Sequence, residues 1–281
     1  MEAEKRKQLK IAACKIRMGV IEGTYHAHSG HPGGSLSIAD VLAYLYEQEM
    51  NIRPQEPKWE DRDRFVLSKG HCAPALYAAL ANRGYFNVRE LQTLRHTGAM
   101  LQGHPDMKGT PGVDMSTGSL GQGISAAAGM ALSAKINHKS YRVYTVLGDG
   151  ELEEGQVSEA SMFAAAKKLD NLNAIVDNNN LQIDGPITEV NSPYPIPEKF
   201  AAFGWKVIEV DGHDFDQLED AFEQAKTSVG QPTSIIMKTT KGKGVSYMEN
   251  QVGWHGTAPN EEQYQQAMSE LQAELSRLQQ L

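Results

Sequence analysis

Two short stretches carry the residues best suited to chemistry: Gly148-Asp149-Gly150-Glu151 and Asp177-Asn178-Asn179-Asn180. Asp149 offers a carboxylate and Asn179 an amide oxygen, and Leu181, just past the second stretch, can turn its backbone carbonyl inward. These are hard oxygen donors, too few to fill an octahedron. Mg²⁺ is held in this way when ligand phosphates and water complete its shell. Gly148 and Gly150 leave room for a diphosphate to approach the backbone closely. Gly-Asp-Gly is also good turn chemistry by itself. The second, Asn-rich stretch tips the reading towards a metal–diphosphate site.

The elements around these stretches would bring them together. Val143–Leu147 and Leu172–Val176 read as buried parallel strands. Gln156–Lys168 between them has helical spacing, with Val157, Ala160, Met162, Phe163, Ala164 and Ala166. The unit is βαβ, which is right-handed in nearly all cases. If the strands are neighbours, Asp149 and Asn179 sit at adjacent C-terminal ends, about 5 Å apart across the sheet. Open α/β sheets bind ligands at that edge.

Four histidines, His31, His71, His104 and His255, sit in loops rich in Gly or Pro. An imidazole titrates near neutral pH and can donate to an oxyanion or move a proton. A zinc site of His and Asp is the rival use, but no two of the four have the close spacing of a His pair on a helix. A simple binding module would not need them.

Gly-Asp-Gly followed at this separation by Asn-Asn resembles the thiamine diphosphate fingerprint, and the flanks resemble the N-terminal half of transketolases from about Ser29 to Pro259. The segments that match are Ser29-Gly30-His31-Pro32-Gly33, Ser68-Lys69-Gly70-His71, Gly103-His104-Pro105, Ser116–Gly123, Ile183-Asp184-Gly185-Pro186 and His255–Pro259. The resemblance implies a doubly wound parallel α/β sheet flanked by helices, the thiamine diphosphate-binding fold. It implies thiamine diphosphate with Mg²⁺, for which Ca²⁺ or Mn²⁺ can substitute. Asp149, Asn179 and the Leu181 carbonyl would hold the metal. His71, Gly118, Ser119, Leu120, Gly150, Glu151, Asn179, Ile183 and His255 would contact the cofactor. His31, His104 and His255, with His71 near the diphosphate, would act on a sugar or sugar-phosphate substrate. The reaction implied is transfer of a two-carbon ketol unit from a ketose to an aldose, with the cofactor as electron sink. Glu154 resembles an interface Glu of the family.

In this family a Glu from a second, pyrimidine-binding domain activates the cofactor, and that half also grips the substrate's phosphate. A chain of 281 residues has no room for it. The expectation is therefore the N-terminal subunit of a split enzyme of the pentose phosphate type. It would need a C-terminal partner subunit, with which it would assemble as a heterotetramer, a dimer of heterodimers. Transketolases commonly have Pro where this chain has Ser119, which keeps a deoxyxylulose-phosphate-synthase-like relative in view. A 2-oxo acid dehydrogenase subunit shares the metal motif but should lack the Ser29–Gly33 loop.

With 40% hydrophobic and 22% charged residues and no linker or repeat, the chain reads as one α/β domain, residues 1–259, closed by an amphipathic helix over 260–281. A net charge of −8 without a Lys/Arg run argues against nucleic acid and anionic membranes. The start lacks a signal-peptide core and no apolar run is long enough to span a membrane. Two isolated cysteines, Cys14 and Cys72, fit a reducing cytoplasm.

Elsewhere, the spacing predicts helices over Ala3–His28, Leu36–Gln48 with Ser35 as cap, Ala73–Asn82, Val88–Arg95, a small-residue helix through Ala134, and Phe215–Val229. Arg64–Ser68, Trp205–Asp211 and Thr233–Lys238 read as strands, and Asn191–Pro197 as an irregular surface loop. His213 reads as structural; Lys241 and Lys243 could sit near phosphate, with solvated side chains the favoured reading.

Overall fold

The computed structural model describes residues 1–281. Helix α1 (Ala3–Ala27) is followed by a short α2 (Pro32–Leu36) and by α3 (Ala39–Tyr44), which runs on through a π turn to Glu49. Then come β1 (Arg64–Leu67), α4 (Ala73–Asn82), α5 (Gln122–Ile136), β2 (Val143–Gly148), α6 (Gly155–Ala166) and β3 (Leu172–Asn178). A tiny hairpin, β4 (Leu181–Gln182) and β5 (Gly185–Pro186), leads through α7 (Ile187–Val190) and α8 (Ile196–Ala202) to β6 (Lys206–Asp211). Helix α9 (Phe215–Lys226), β7 (Thr233–Lys238) and α10 (Glu261–Gln280) complete the chain.

The main sheet has the order β1-β2-β3-β7-β6 and every pairing is parallel. Along each strand, alternate residues feed opposite cores, as the two-residue period of a strand requires. Tyr144, Val146, Ile175 and Ile235 belong to a core of 47 residues shared with α1, α3, α4, α9 and α10. Val143, Leu147, Ala174, Val176 and Ile236 belong to a core of 20 residues under α5, α6 and α8. Both faces are covered, which is the doubly wound arrangement the sequence predicts. The winding reverses where β7 inserts between β3 and β6, so the C-terminal ends of β2, β3 and β7 open onto one crevice.

Helix α5 packs unusually close to β1. A Cβ on Gly123 would lie 2.5 Å from Ser68 Cα, so only glycine fits there. Helix α10 begins with a capping box, Asn260 and Gln263 bonding each other's backbone N–H. Its apolar face lies on α1: Tyr264 stacks on Tyr25 at 4.1 Å, and its hydroxyl donates to Glu22.

Three local expectations change. Ser35 does not cap a helix; it lies within α2 and donates to the His31 carbonyl, and the helical path breaks at Ser37–Ile38 before α3. Val88–Thr93 forms a 3-10 helix, and Arg95 adopts a left-handed backbone, φ 61°. Within Asn191–Pro197, Ile196 and Pro197 already open α8, since proline is well suited to a helix's first turn.

Candidate active site

Strands β2 and β3 are neighbours, with Gly148 opposite Asp177. Asp149 therefore meets the end of β3: its Oδ2 accepts from Asn180 N at 2.6 Å and its Oδ1 from Gly150 N at 2.9 Å. Asn179 Nδ2 donates to Asp177 Oδ2 at 2.8 Å, and its Oδ1 accepts from Leu181 N at 3.1 Å. The Leu181 carbonyl accepts from Lys241 Nζ at 2.9 Å. Each of these three oxygens is of a type Mg²⁺ uses, and each stands at or just past the C-terminal end of β2 or β3.

This floor is strongly charged. Lys69 and Asp177 form an ion pair of 2.6 Å, exposed by 2% and 0%. Burial opposes both charges, but each partner outweighs it, leaving Lys69 above its ordinary pKa and Asp177 below. Asp149 has no such partner. Burial, then the charge of Asp177, push its pKa up to about 7. A buried carboxylate in that position is short of positive charge, which a divalent cation would supply.

The histidine loops close over this floor. His31, His71 and His255 form a triangle, with ring centroids 5.1, 5.3 and 5.6 Å apart. His104 lies over Gly118, where a Cβ would come within 3.2 Å of its ring. All four imidazoles are held neutral at pH 7. Burial and then electrostatic coupling to His71 lower His31 to about 4; burial and then Lys69 lower His71 to about 4. Burial and then Lys241 lower His255 to about 3, and burial with Arg95 lowers His104. Lys241 Nζ lies 3.0 Å from His255 Nδ1. As an ammonium, Lys241 can only donate, which would leave the ring proton on Nε2.

Most of these groups line a cavity of about 330 Å³, and His104 lies outside its lining. His31, His71, Gly118, Leu120, Asp149, Gly150, Glu151, Leu181, Ile183 and His255 line it. Ser119 is exposed and outside the lining, and Asn179 is buried beneath it. Glu151 lines the wall with its oxygens already engaged by Ser68 Oγ, Gly121 N and Gly148 N, so it braces the cavity. No three His, Cys, Asp or Glu side chains gather as a metal-ligand set, so the zinc alternative has no donor cluster.

The cavity fits a diphosphate held through a cation. A Cβ on Gly148 or Gly150 would meet protein only at ordinary contact, 3.6 and 3.4 Å, so packing alone does not demand glycine at either. His31 Nδ1 is shielded from water with no hydrogen-bond partner, a cost that a bound ligand can relieve.

Lys69 and Lys241, which also line the cavity, have no assigned role in the sequence reading. Lys241 is a correction: it is only 2% exposed, not solvated, because the turn after β7 carries it under the Leu181 carbonyl. Lys243, by contrast, is partly exposed beside Glu249. The available signal for the buried pair was Asp177 itself, a carboxylate directly after the apolar run Ala174-Ile175-Val176, which calls for a cation. His213 is structural: Nδ1 bonds Asp40 and Nε2 accepts from Thr240 N.

Residues 8–276 match the family model for the transketolase thiamine diphosphate binding domain. The chain is 48% identical to a 6-deoxy-6-sulfo-D-fructose transketolase subunit of Clostridium sp. (strain MSTE9), covering 97% of this chain and 99% of that protein. It is 42% identical to an apulose-4-phosphate transketolase subunit of Phocaeicola vulgatus, covering 96% of each. Human transketolase is 43% identical over 98% of this chain but only 44% of its own length. The crystal structure of Campylobacter jejuni transketolase superposes with a TM-score of 0.87 at 32% identity, over 99% of this chain and 46% of that one. The chain belongs to the transketolase family, as an enzyme subunit of its N-terminal, thiamine diphosphate-binding type.

Proposed function

We propose that this subunit binds thiamine diphosphate through Mg²⁺ and, with a C-terminal partner subunit, transfers a two-carbon ketol unit from a ketose to an aldose. The observation that carries the reading is the union, in one cavity, of an oxygen-donor floor with neutral imidazoles above it. Asp149, Asn179 Oδ1 and the Leu181 carbonyl would hold the cation. Lys241 and His71 would face the diphosphate, and Gly118, Leu120, Gly150 and Ile183 would frame the cofactor's rings and tail.

When bound, the cofactor supplies the electron sink for breaking and remaking a C–C bond. The chain's own residues then handle protons and hydroxyls. His255 would donate from Nε2–H to a developing oxyanion, with Lys241 beside its Nδ1. His31 and His104 would bond substrate hydroxyls and accept their protons, which neutral rings can do at pH 7. Burial around the triangle excludes water from the reacting atoms.

The two subunit relatives are named for a sulfonated and a phosphorylated sugar, which favours an anionic sugar as substrate here. The partner would bring the activating Glu and the groups that grip that anion. A dimer of such heterodimers, working in the cytoplasm on pentose phosphate-type sugars, is the proposed assembly. Met162 and Phe163 on α6 and Ile136 at the end of α5 are exposed, and Glu154 is the N-cap of α6, so these helices are the proposed contact between subunits.

The test is reconstitution. The chain alone should bind the cofactor weakly and transfer nothing. Mixed with a C-terminal transketolase subunit, it should move a two-carbon unit from a ketose within a panel of neutral, phosphorylated and sulfonated sugars. Ketol transfer by the lone chain, or none by the pair across the panel, would overturn the reading.

A further inference from the structure

We infer that Arg95 is a positioning residue that locks the loop carrying His31 to the loop carrying His104. The inference rests on the transketolase reading for its kinetic part, but its structural part stands apart from that reading.

Both histidines hang on irregular backbone, with no sheet ladder to set their separation. Arg95 Nη1 donates to Ser29 Oγ at 3.1 Å, two residues before His31. On its other side the guanidinium packs close to Gly103, immediately before His104. A Cβ at position 103 would sit 3.0 Å from Nε and 3.1 Å from Cζ, and Nη2 reaches the Gly103 carbonyl at 3.5 Å. No other side chain hydrogen-bonds to both loops: Ser35 holds the first through the His31 carbonyl, and Tyr77 holds the second through the carbonyls of Gln102 and His104.

The backbone at Arg95 is arranged for this task. Its φ of 61° is a left-handed conformation that a long side chain adopts at a cost. That conformation is tied by Arg95 N donating to the Leu101 carbonyl at 2.8 Å, which closes the turn before Gly103. The guanidinium makes no ion pair with any carboxylate of the chain, and its positive charge adds to burial in disfavouring protonation of both imidazoles. The planar fork serves as a two-sided clamp, which a lysine's point charge cannot reproduce.

Two measurements test this. In the isolated subunit, histidine-selective ¹⁵N NMR should show the His31 and His104 rings shifting together in both Arg95→Ala and Arg95→Lys, with His213 unmoved as an internal control. Ser29→Ala, which removes only one arm of the clamp, should shift His31 more than His104. In the reconstituted two-chain enzyme, Arg95→Ala should lower kcat by roughly 10- to 100-fold for neutral and anionic sugars alike, since small misplacements of positioned groups cost rates of that order. KM should change by less than about threefold, and Lys should not rescue.

The inference fails if His31 stays in place when Arg95 is truncated. It also fails if the loss is confined to KM for anionic sugars and Lys restores it, because Arg95 would then be a substrate-anion ligand. If the natural pair transfers no ketol unit at all, the functional reading fails while the NMR comparison still decides the clamp.

Discussion

Lys69 Nζ and Asp177 Oδ2 lie 2.6 Å apart in the interior of the protein, and the same Oδ2 accepts from Asn179 Nδ2 at 2.8 Å and Ser37 Oγ at 2.7 Å. An ion pair thus sets the orientation of the Asn179 amide, directing its Oδ1 away from Asp177.

Removing one partner leaves the other charge buried and alone. Asp177→Ala should therefore destabilise the protein by about 3–5 kcal/mol. Urea unfolding followed by circular dichroism checks this; a midpoint unchanged from the parent would show that the pair is not buried in solution.

Asp149→Ala should behave differently. Its side chain accepts two backbone N–H groups at a strand end, so truncation should cost only about 1–3 kcal/mol. The rise in Tm expected for the parent on adding thiamine diphosphate with Mg²⁺ should vanish. Isothermal titration with the same ligands gives the independent reading, and retained affinity would remove Asp149 from the metal set.

His31→Ala and His104→Ala, each in the reconstituted enzyme, should lower kcat by roughly 10²- to 10⁴-fold, the range for a lost general acid–base group. Cofactor affinity should stay within about threefold of the parent. Full turnover in both variants would make these rings bystanders.

Stability should depend on pH through the buried imidazoles. His31 and His71 have folded pKa values of about 4 and His255 about 3, against about 6.5 unfolded. Between those values the unfolded chain binds more protons, so stability rises with pH. The contribution is complete above about pH 6.5 and is lost progressively as pH falls towards 4. Thermal melts from pH 7 to pH 4 should fall accordingly, and the slope should flatten in His31→Asn. An identical slope in that variant would mean that His31 titrates normally.

The fold was largely legible because its signals are local. The apolar runs at Val143 and Leu172 with an amphipathic stretch between them specify a βαβ unit, and β2 and β3 are neighbours as that unit predicts. The reversal after β6, which inserts β7 beside β3, needed the three-dimensional structure. The departure at Ser35 has a local cause as well: Gly33 and Gly34 do not by themselves prevent a short helix, and proline at position 32 favours one.

The chain by itself determined the kinds of atom available: two strand-end oxygen donors, a turn carbonyl, and four imidazoles in glycine and proline loops. These are properties of short segments and survive in one dimension. Tertiary structure alone decided which charges face each other. Lys69 and Asp177 are 108 residues apart, and Lys241 reaches Leu181 from 60 residues away. Whether a lysine is solvated or buried depends on what folds over it, and no local pattern of residues encodes that.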